Sequence, residues 1–349
     1  MSENNKNEEE EILKAALKLS FAEQCQHCHW KVRSRAYEMV SSSFGDDAKD
    51  EKETTNEYKN FEIIDYFKEA MHKIVSETNA NALDVALERT NQRLRKMIDR
   101  ELVSFFTSSS SKSEGVKEFA EDVGAKVLPA LVSKAFFGRP KAVSFATETF
   151  CLFVEMEQSE LAIEVLSKAS GHKVPKVALA ASKCLALACE QFGCGKRGAL
   201  NWMKCLDGAK EAIGHRDEKV RNEGKRVIVE CAKWVGDQVV MEKMKDKLSK
   251  TMKGEVEASL AKETADGKER GSMKATRFLI SLQKEMRTKK TTTSTSEGSK
   301  EDSVTEKVEA VAGADDLNED PYDSAEPFSV LKALDLSLIH ISEPTRPMN

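Results

Sequence analysis

From about residue 12 to residue 286, apolar side chains recur three and four positions apart: Phe61, Ile64, Phe67, Met71 and Val75; Phe119, Val123, Val127 and Leu131; Phe150, Phe153 and Val154; Val227, Cys231 and Val235. That period puts each set on one stripe of an amphipathic helix. Polar stretches at 45–56, rich in Asp and Lys, and at 107–113, a serine run, break the pattern and predict long surface loops. After residue 290 the segment TTTSTSEGSKEDSVTEKVEAVAGADD has no aromatic residue. It cannot bury enough apolar area to offset its ordering entropy, so a disordered linker is expected at 288–318.

Five predicted helix starts share one register. A small or β-branched residue is followed four positions later by Ala or Gly, in Val32/Ala36, Ala82/Ala86, Ala142/Ala146, Val177/Ala181 and Val220/Gly224. The residue before each pair is Lys31, Asn81, Lys141, Lys176 and Lys219. The intervals of 50, 60, 35 and 43 residues bracket the ~40–47 residues of a HEAT-type two-helix repeat. The reading is all-α: an α-solenoid of about six HEAT-like repeats over residues 12–287, the sixth after Trp234 without a clear signature. Small residues at the fourth position let neighbouring helices approach, and equivalent loops align along one edge. The lysines would then form a ridge.

Charge sharpens this picture. Residues 1–11 carry −4, residues 301–326 carry −9 and residues 327–349 balance, so the chain's −5 leaves +8 on residues 12–300. A basic body between an acidic N-terminus, expected to be disordered over 1–11, and an acidic linker favours an acidic partner, protein or nucleic acid. No window of about 18 uncharged apolar residues predicts a membrane-spanning helix. The start MSENNKNEEEE lacks a basic, apolar signal pattern, so an intracellular protein is expected. Its eight cysteines read as buried free thiols. The terminal LSLIHISEPTRPMN, residues 336–349, resembles translated adapter or vector sequence and is set apart from the fold.

Three sharper motifs carry less. Cys25-x-x-Cys28-His29 has c-type haem spacing but no export signal, and as a zinc site with His27 or His29 it lacks a second ligand pair; Cys25 and Cys28 are expected to pack on one helix face. Gly193-x-Gly195-x-x-Gly198 matches a dinucleotide fingerprint but follows helical rather than strand periodicity, so these glycines are expected to end one helix and turn into the next. No nucleophile, base and orienting group assemble into a catalytic set. Neither an enzyme, a cofactor nor a metal is expected.

The segments FAEQCQHCHWKVRSRAYEMV, SFATETFCLFVEMEQSE, KVPKVALAASKCLALACEQFG and HRDEKVRNEGKRVIVECAKWVGD resemble, in order, the repeats of a TOG domain of the ch-TOG / mini spindles family of microtubule polymerases. GSMKATRFLISLQKE resembles the exit from the first such domain, and NEDPYDSAEPFSVLKAL the lead-in to a second, at 319–335. The likeness covers about residues 18–290 and 319–334. The polar second repeat, NANALDVALERTNQRLRKMIDRE, departs from it.

The resemblance implies a monomeric fragment whose intra-repeat loops bind the αβ-tubulin heterodimer, in a protein of the cytoplasm, microtubule plus ends and spindle. It carries a contact onto Trp30, basic contacts onto Lys141 and Lys176, and fifth-loop contacts onto Lys219, Arg221 and Lys225; Lys31 is added from the register. Trp30, between His29 and Lys31, can bury its ring against a partner or cap the protein's own core. Arg221 can fork onto a partner carboxylate or pair with Glu218 and Glu223. Other readings are a HEAT scaffold for a different acidic protein and a nucleic-acid-binding repeat, the latter with little aromatic interleaving for base stacking.

Overall fold

The computed structural model describes residues 3–42, 54–107, 114–195 and 198–265, all within a compact unit spanning Met1–Phe278. The expected linker, lead-in and tail, and the exit segment after residue 265, lie outside the described residues.

Thirteen α-helices make up this part: α1 (Glu3–Ala16), α2 (Phe21–Gln26), α3 (Trp30–Ser42), α4 (Thr54–Ile74), α5 (Ala80–Thr107), α6 (Glu114–Lys134), α7 (Pro140–Glu155), α8 (Ser159–Ser170), α9 (Pro175–Phe192), α10 (Trp202–Ile213), α11 (Glu218–Val235), α12 (Asp237–Met244) and α13 (Lys250–Ala265). Helices α3, α5, α7, α9, α11 and α13 pack each on the next in one layer, and α2, α4, α6, α8 and α10 in a second. From α2 onward, consecutive helices pair into five hairpins, α2–α3 to α10–α11, and α12 and α13 both pack on α11, the stacked arrangement the repeat register predicted.

The register is explained by burial. Val32, Ala82, Ala142, Val177 and Val220, and their partners Ala36, Ala86, Ala146, Ala181 and Gly224, are all buried. At Gly224 an added Cβ would lie 2.9 Å from Ala212 Cβ and 3.1 Å from the Ile213 backbone nitrogen, so α10 and α11 require a residue without a side chain there. Pro140 and Pro175 open α7 and α9, where a missing N–H costs nothing. Phe67, Phe136, Phe150, Phe153 and Phe192 are fully buried in the shared core, each contributing about 2–3 kcal/mol from area removed from water.

Three expectations change and a fourth is made definite. The stretch 1–11 is not wholly disordered, because α1 runs from Glu3 and is fastened by Glu9, which pairs with Lys31 at 2.5 Å and faces His29 at 3.6 Å. The expected loop at 45–56 ends earlier, since α4 begins at Thr54. The sixth repeat, expected after Trp234 without a clear signature, is located at α13, where Thr251, Met252 and Val256 take the register positions with none of its usual residue types and Val256 is buried. Cys25 is buried as expected, its thiol pushed up to about 12 by desolvation, but Cys28 is exposed because α2 has already ended at Gln26.

Polarity in the second repeat serves the packing. Asn91 on α5 is buried and donates to the Phe145 carbonyl at 2.9 Å while accepting from Thr149 Oγ1 at 2.6 Å, both on α7. Arg93 lies over the Phe67 ring at 5.9 Å, and burial pulls its guanidinium down to about 10.

Candidate functional site

The five loops that join the helices of each hairpin, from α2–α3 to α10–α11, are tied to one another by side chains. Arg33 forks onto Glu77, Nε to Oε2 at 2.7 Å and Nη2 to Oε1 at 2.8 Å, linking the first loop to the second. Arg139 Nη2 donates to the Ala80 carbonyl at 2.7 Å, Asn81 Oδ1 at 3.0 Å and Asp84 Oδ2 at 2.7 Å, linking the third to the second. Lys176 Nζ donates to the Phe137 carbonyl at 2.9 Å and the Gly138 carbonyl at 2.5 Å, and the Phe137 and His172 rings meet edge to face at 5.7 Å, linking the fourth to the third. Arg216 Nη2 reaches the Lys173 carbonyl at 3.4 Å, linking the fifth to the fourth. The result is one continuous edge.

Four of the five loops are also shaped from within. The ring Nδ1 of His27, His172 and His215 accepts from the amide two residues on, that of His29, Val174 and Asp217, each at 3.0 Å. In the second loop the Glu77 carboxylate takes this place, accepting from the Asn79 amide at 2.8 Å. Arg33 and Arg221 act alike: Arg33 Nη1 donates to the carbonyls of His27 at 2.7 Å and Cys28 at 2.9 Å, and Arg221 Nη1 to those of His215 at 3.1 Å and Arg216 at 2.7 Å. Burial pushes the Glu77 carboxyl up. The Arg33 fork, the Asn79 amide and the Tyr37 hydroxyl at 2.8 Å outweigh it and hold the carboxyl at about 2.

The structure brings the sequence candidates to this edge but gives them different duties. Trp30, the first residue of α3, is half-buried against the core, with the Lys31 ammonium 5.7 Å from its ring centre. Lys31 is engaged by Glu9. Lys141 is exposed, 3.6 Å from Glu88 and 5.3 Å from the Phe145 ring centre. Lys176 and Arg221 bind loop carbonyls, so Arg221 makes neither ion pair considered for it, with Glu218 or Glu223. Lys225 pairs with Glu255 on α13 and sits back from the loops. Among the described residues, the ammonium groups of Lys173 and Lys219 have no hydrogen-bond or ion-pair partner.

Sequence reasoning missed Arg139, Lys173 and Arg216. Lys173, Lys210, Glu211, His215 and Arg216 line a depression between the fourth and fifth loops. A signal for the braces was present: His27 to Arg33 and His215 to Arg221 have the same six-residue spacing.

The glycine motif turns the chain at the other edge. Gly193 caps α9 at φ 67°, Gly195 has φ 79°, and no strand precedes them. Four cysteines converge there: Cys189, Cys194, Cys205 and Cys231, all buried, with Sγ atoms within 4.8 Å of one another. Cys189-x4-Cys194 has the spacing of a metal-ligand pair, a signal the sequence reading passed over, whereas Cys205 and Cys231 stand alone and are brought in only by the fold.

A sequence profile of the XMAP215/Dis1/CLASP TOG domain matches residues 16–260. Protein MOR1 of Oryza sativa subsp. japonica is 28% identical over 331 residues, 95% of this chain and 14% of MOR1. Protein mini spindles of Drosophila melanogaster is 26% identical over 248 residues, 68% of this chain and 11% of its own. The chain thus spans a small part of the length of these relatives. A solved structure of tubulin recruitment and assembly by microtubule polymerases with Tumor Overexpressed Gene (TOG) domain arrays aligns with a TM-score of 0.53 at 18% identity, over 69% of this chain and 45% of the other. At that identity the likeness is one of fold.

Proposed function

Because the chain belongs to the XMAP215/Dis1/CLASP TOG-domain family through residues 16–260, we propose that its loop edge binds the αβ-tubulin heterodimer, as one module of a microtubule plus-end polymerase acting in the cytoskeleton and spindle. The observation that carries this reading is the run of braces that holds five loops in line, with Trp30 at one end and Lys219 at the other. A line of fixed loops offers a partner a surface that needs no ordering on binding, which favours affinity. Residues 12–287 would be the binding module, 288–318 a linker and 319–335 the lead-in to a further module. The chain acts in this reading by binding and not by catalysis.

In this reading the direct contacts are Trp30, Lys141 and Lys219, together with Lys173 and Arg216, which lie on the same edge between the fourth and fifth loops. Lys31 contributes once Glu9 releases it. Lys176 and Arg221 act through the loops they hold, and Lys225 supports α11 against α13. Co-elution of the purified chain with αβ-tubulin tests the proposal. The complex should weaken markedly between low and physiological salt, where exposed charges are screened over about 8–10 Å. Trp30→Ala should cost about 2 kcal/mol or more, roughly thirtyfold in affinity. Binding unmoved by salt, by Trp30→Ala and by Lys219→Glu would place tubulin elsewhere.

A further inference from the structure

We propose that Cys189, Cys194, Cys205 and Cys231 form a structural zinc site that locks the fourth hairpin to the fifth. The four thiols come from four places: the last turn of α9, the loop after it, the first turns of α10 and the C-terminal half of α11. All four are 0–1% exposed. Their sulfurs lie within 4.8 Å of one another, and Cys194 Sγ is 3.8 Å from Cys231 Sγ. In a tetrahedral site with Zn–S of about 2.3 Å, the sulfurs stand about 3.8 Å apart. One pair already has that separation, and the others reach it by small side-chain adjustments. Four thiolates are a soft, closed ligand set, which selects zinc over harder cations and leaves no position open for water. The spacing suits one ion; a cluster with its own inorganic core would need the sulfurs farther apart.

The backbone is shaped to deliver the second ligand. Gly193 and Gly195 take positive φ, and a Cβ on Gly198 would fall 2.2 Å from the Gly193 carbonyl carbon. The amide of Gly195 donates to the Leu200 carbonyl at 3.0 Å and that of Leu200 to the Gly193 carbonyl at 3.2 Å, closing the loop. Only glycines permit so tight a turn, and it presses Cys194 into a core otherwise sealed by Phe192, Leu200 and Leu206. Four thiols used merely as small hydrophobes would not need this turn. Cys189 lies thirteen residues along α9 from Lys176, about 20 Å at 1.5 Å per residue. The ion would therefore sit away from the loop edge, where it fixes the angle between two hairpins without touching the partner.

The test uses the whole chain. Purified without chelator, it should carry one zinc per chain by elemental analysis, and metal exchange with cobalt should give intense near-ultraviolet thiolate-to-cobalt bands with the visible bands of a tetrahedral ion. Cys205→Ser and Cys231→Ser should lose the metal, whereas Cys184→Ser, at a buried cysteine outside the group, and Cys25→Ser should keep it. Chelation should lower the melting temperature of the wild-type chain. Should the serine variants fail to fold, the wild-type cobalt spectrum still decides, because a tetrathiolate site has a signature that packed thiols lack. A wild-type chain refolded with zinc that holds no stoichiometric metal and gives no such spectrum overturns the proposal, as does metal retained by Cys205→Ser or lost by Cys25→Ser.

Discussion

Replacing Glu77 by Gln keeps the side chain's shape and removes its charge, and the cost can be worked from its contacts. The carboxylate accepts from Arg33 Nε and Nη2, the Tyr37 hydroxyl and the Asn79 amide, all at 2.7–2.8 Å, and its side chain is 2% exposed. Although burial opposes ionisation, these donors lower the carboxyl from 4.5 to about 2. At about 1.36 kcal/mol per pKa unit this charge contributes roughly 3 kcal/mol to stability. Because the folded value is the lower one, the contribution is complete well above pH 4.5 and is lost as pH falls toward 2. By pH 3 about three-fifths of it is gone. In a domain of this size about 1 kcal/mol moves the melting temperature by roughly 2–4 °C, so Glu77→Gln should melt about 6–12 °C early at pH 7, and the gap should shrink by more than half at pH 3. Thermal melts followed by circular dichroism at both pH values read it directly. An equal gap at the two pH values, or one under about 1 °C at neutral pH, would refute the assignment of this carboxylate as a charged fastener.

Three further outcomes are expected. Glu9→Gln frees the Lys31 ammonium and the His29 ring from α1, so tubulin affinity by co-elution should rise at low salt with little change in melting temperature. Arg221→Ala leaves the His215 and Arg216 carbonyls without their donor; it should lower the melting temperature by a few degrees and weaken binding through a looser fifth loop, whereas Lys219→Ala should weaken binding alone. The 349-residue chain should bind soluble tubulin yet leave microtubule growth rates unchanged by microscopy at fixed tubulin, since linked modules gain through effective concentration.

The fold was legible because its signals are local. Pairs such as Val177/Ala181 and Val220/Gly224 mark positions where one helix must approach the next, and a period of 3.6 exposes them without knowledge of the neighbour. Where the local signal was altered, the reading stopped. In the sixth repeat Thr251 stands in the lysine position and Val256 in the small-residue position, so that repeat was expected without being located. What the sequence hid was set by distance along the chain. Glu9 turns an acidic stretch into a docked helix through residues on α3, and Arg139 holds a loop nearly 60 positions earlier. Lys176 was expected as a basic contact of the ridge and is instead a brace, because its acceptors are backbone carbonyls of another repeat, which have no sequence identity. The four cysteines are gathered by three helices and a loop: Cys189-x4-Cys194 has the spacing of a ligand pair, but nothing in the spacing of Cys205 and Cys231 joins them to it.

The loop edge also shows why its basic residues divide into two kinds. In every hairpin the first helix ends at this edge and the second begins there, so the partial negative charge of one helix end is set against the partial positive charge of the next. The backbone therefore supplies little net potential, and the ended helices leave carbonyls that need donors. Arg33 and Arg221 meet that need at the ends of α2 and α10, and Lys176 meets it at Gly138, just before α7. These cations are consumed by the fold: each satisfies carbonyls that would otherwise be left without partners. The charge available to an acidic partner resides instead in ammonium groups with no such duty, Lys173 and Lys219, and in Lys141, whose exposed pairing with Glu88 at 3.6 Å is worth only about 0–1 kcal/mol and is readily exchanged. A register that reads as one ridge in the sequence thus splits by hydrogen-bond need, so substitutions along it should fall into a class that moves melting and binding together and a class that moves binding alone.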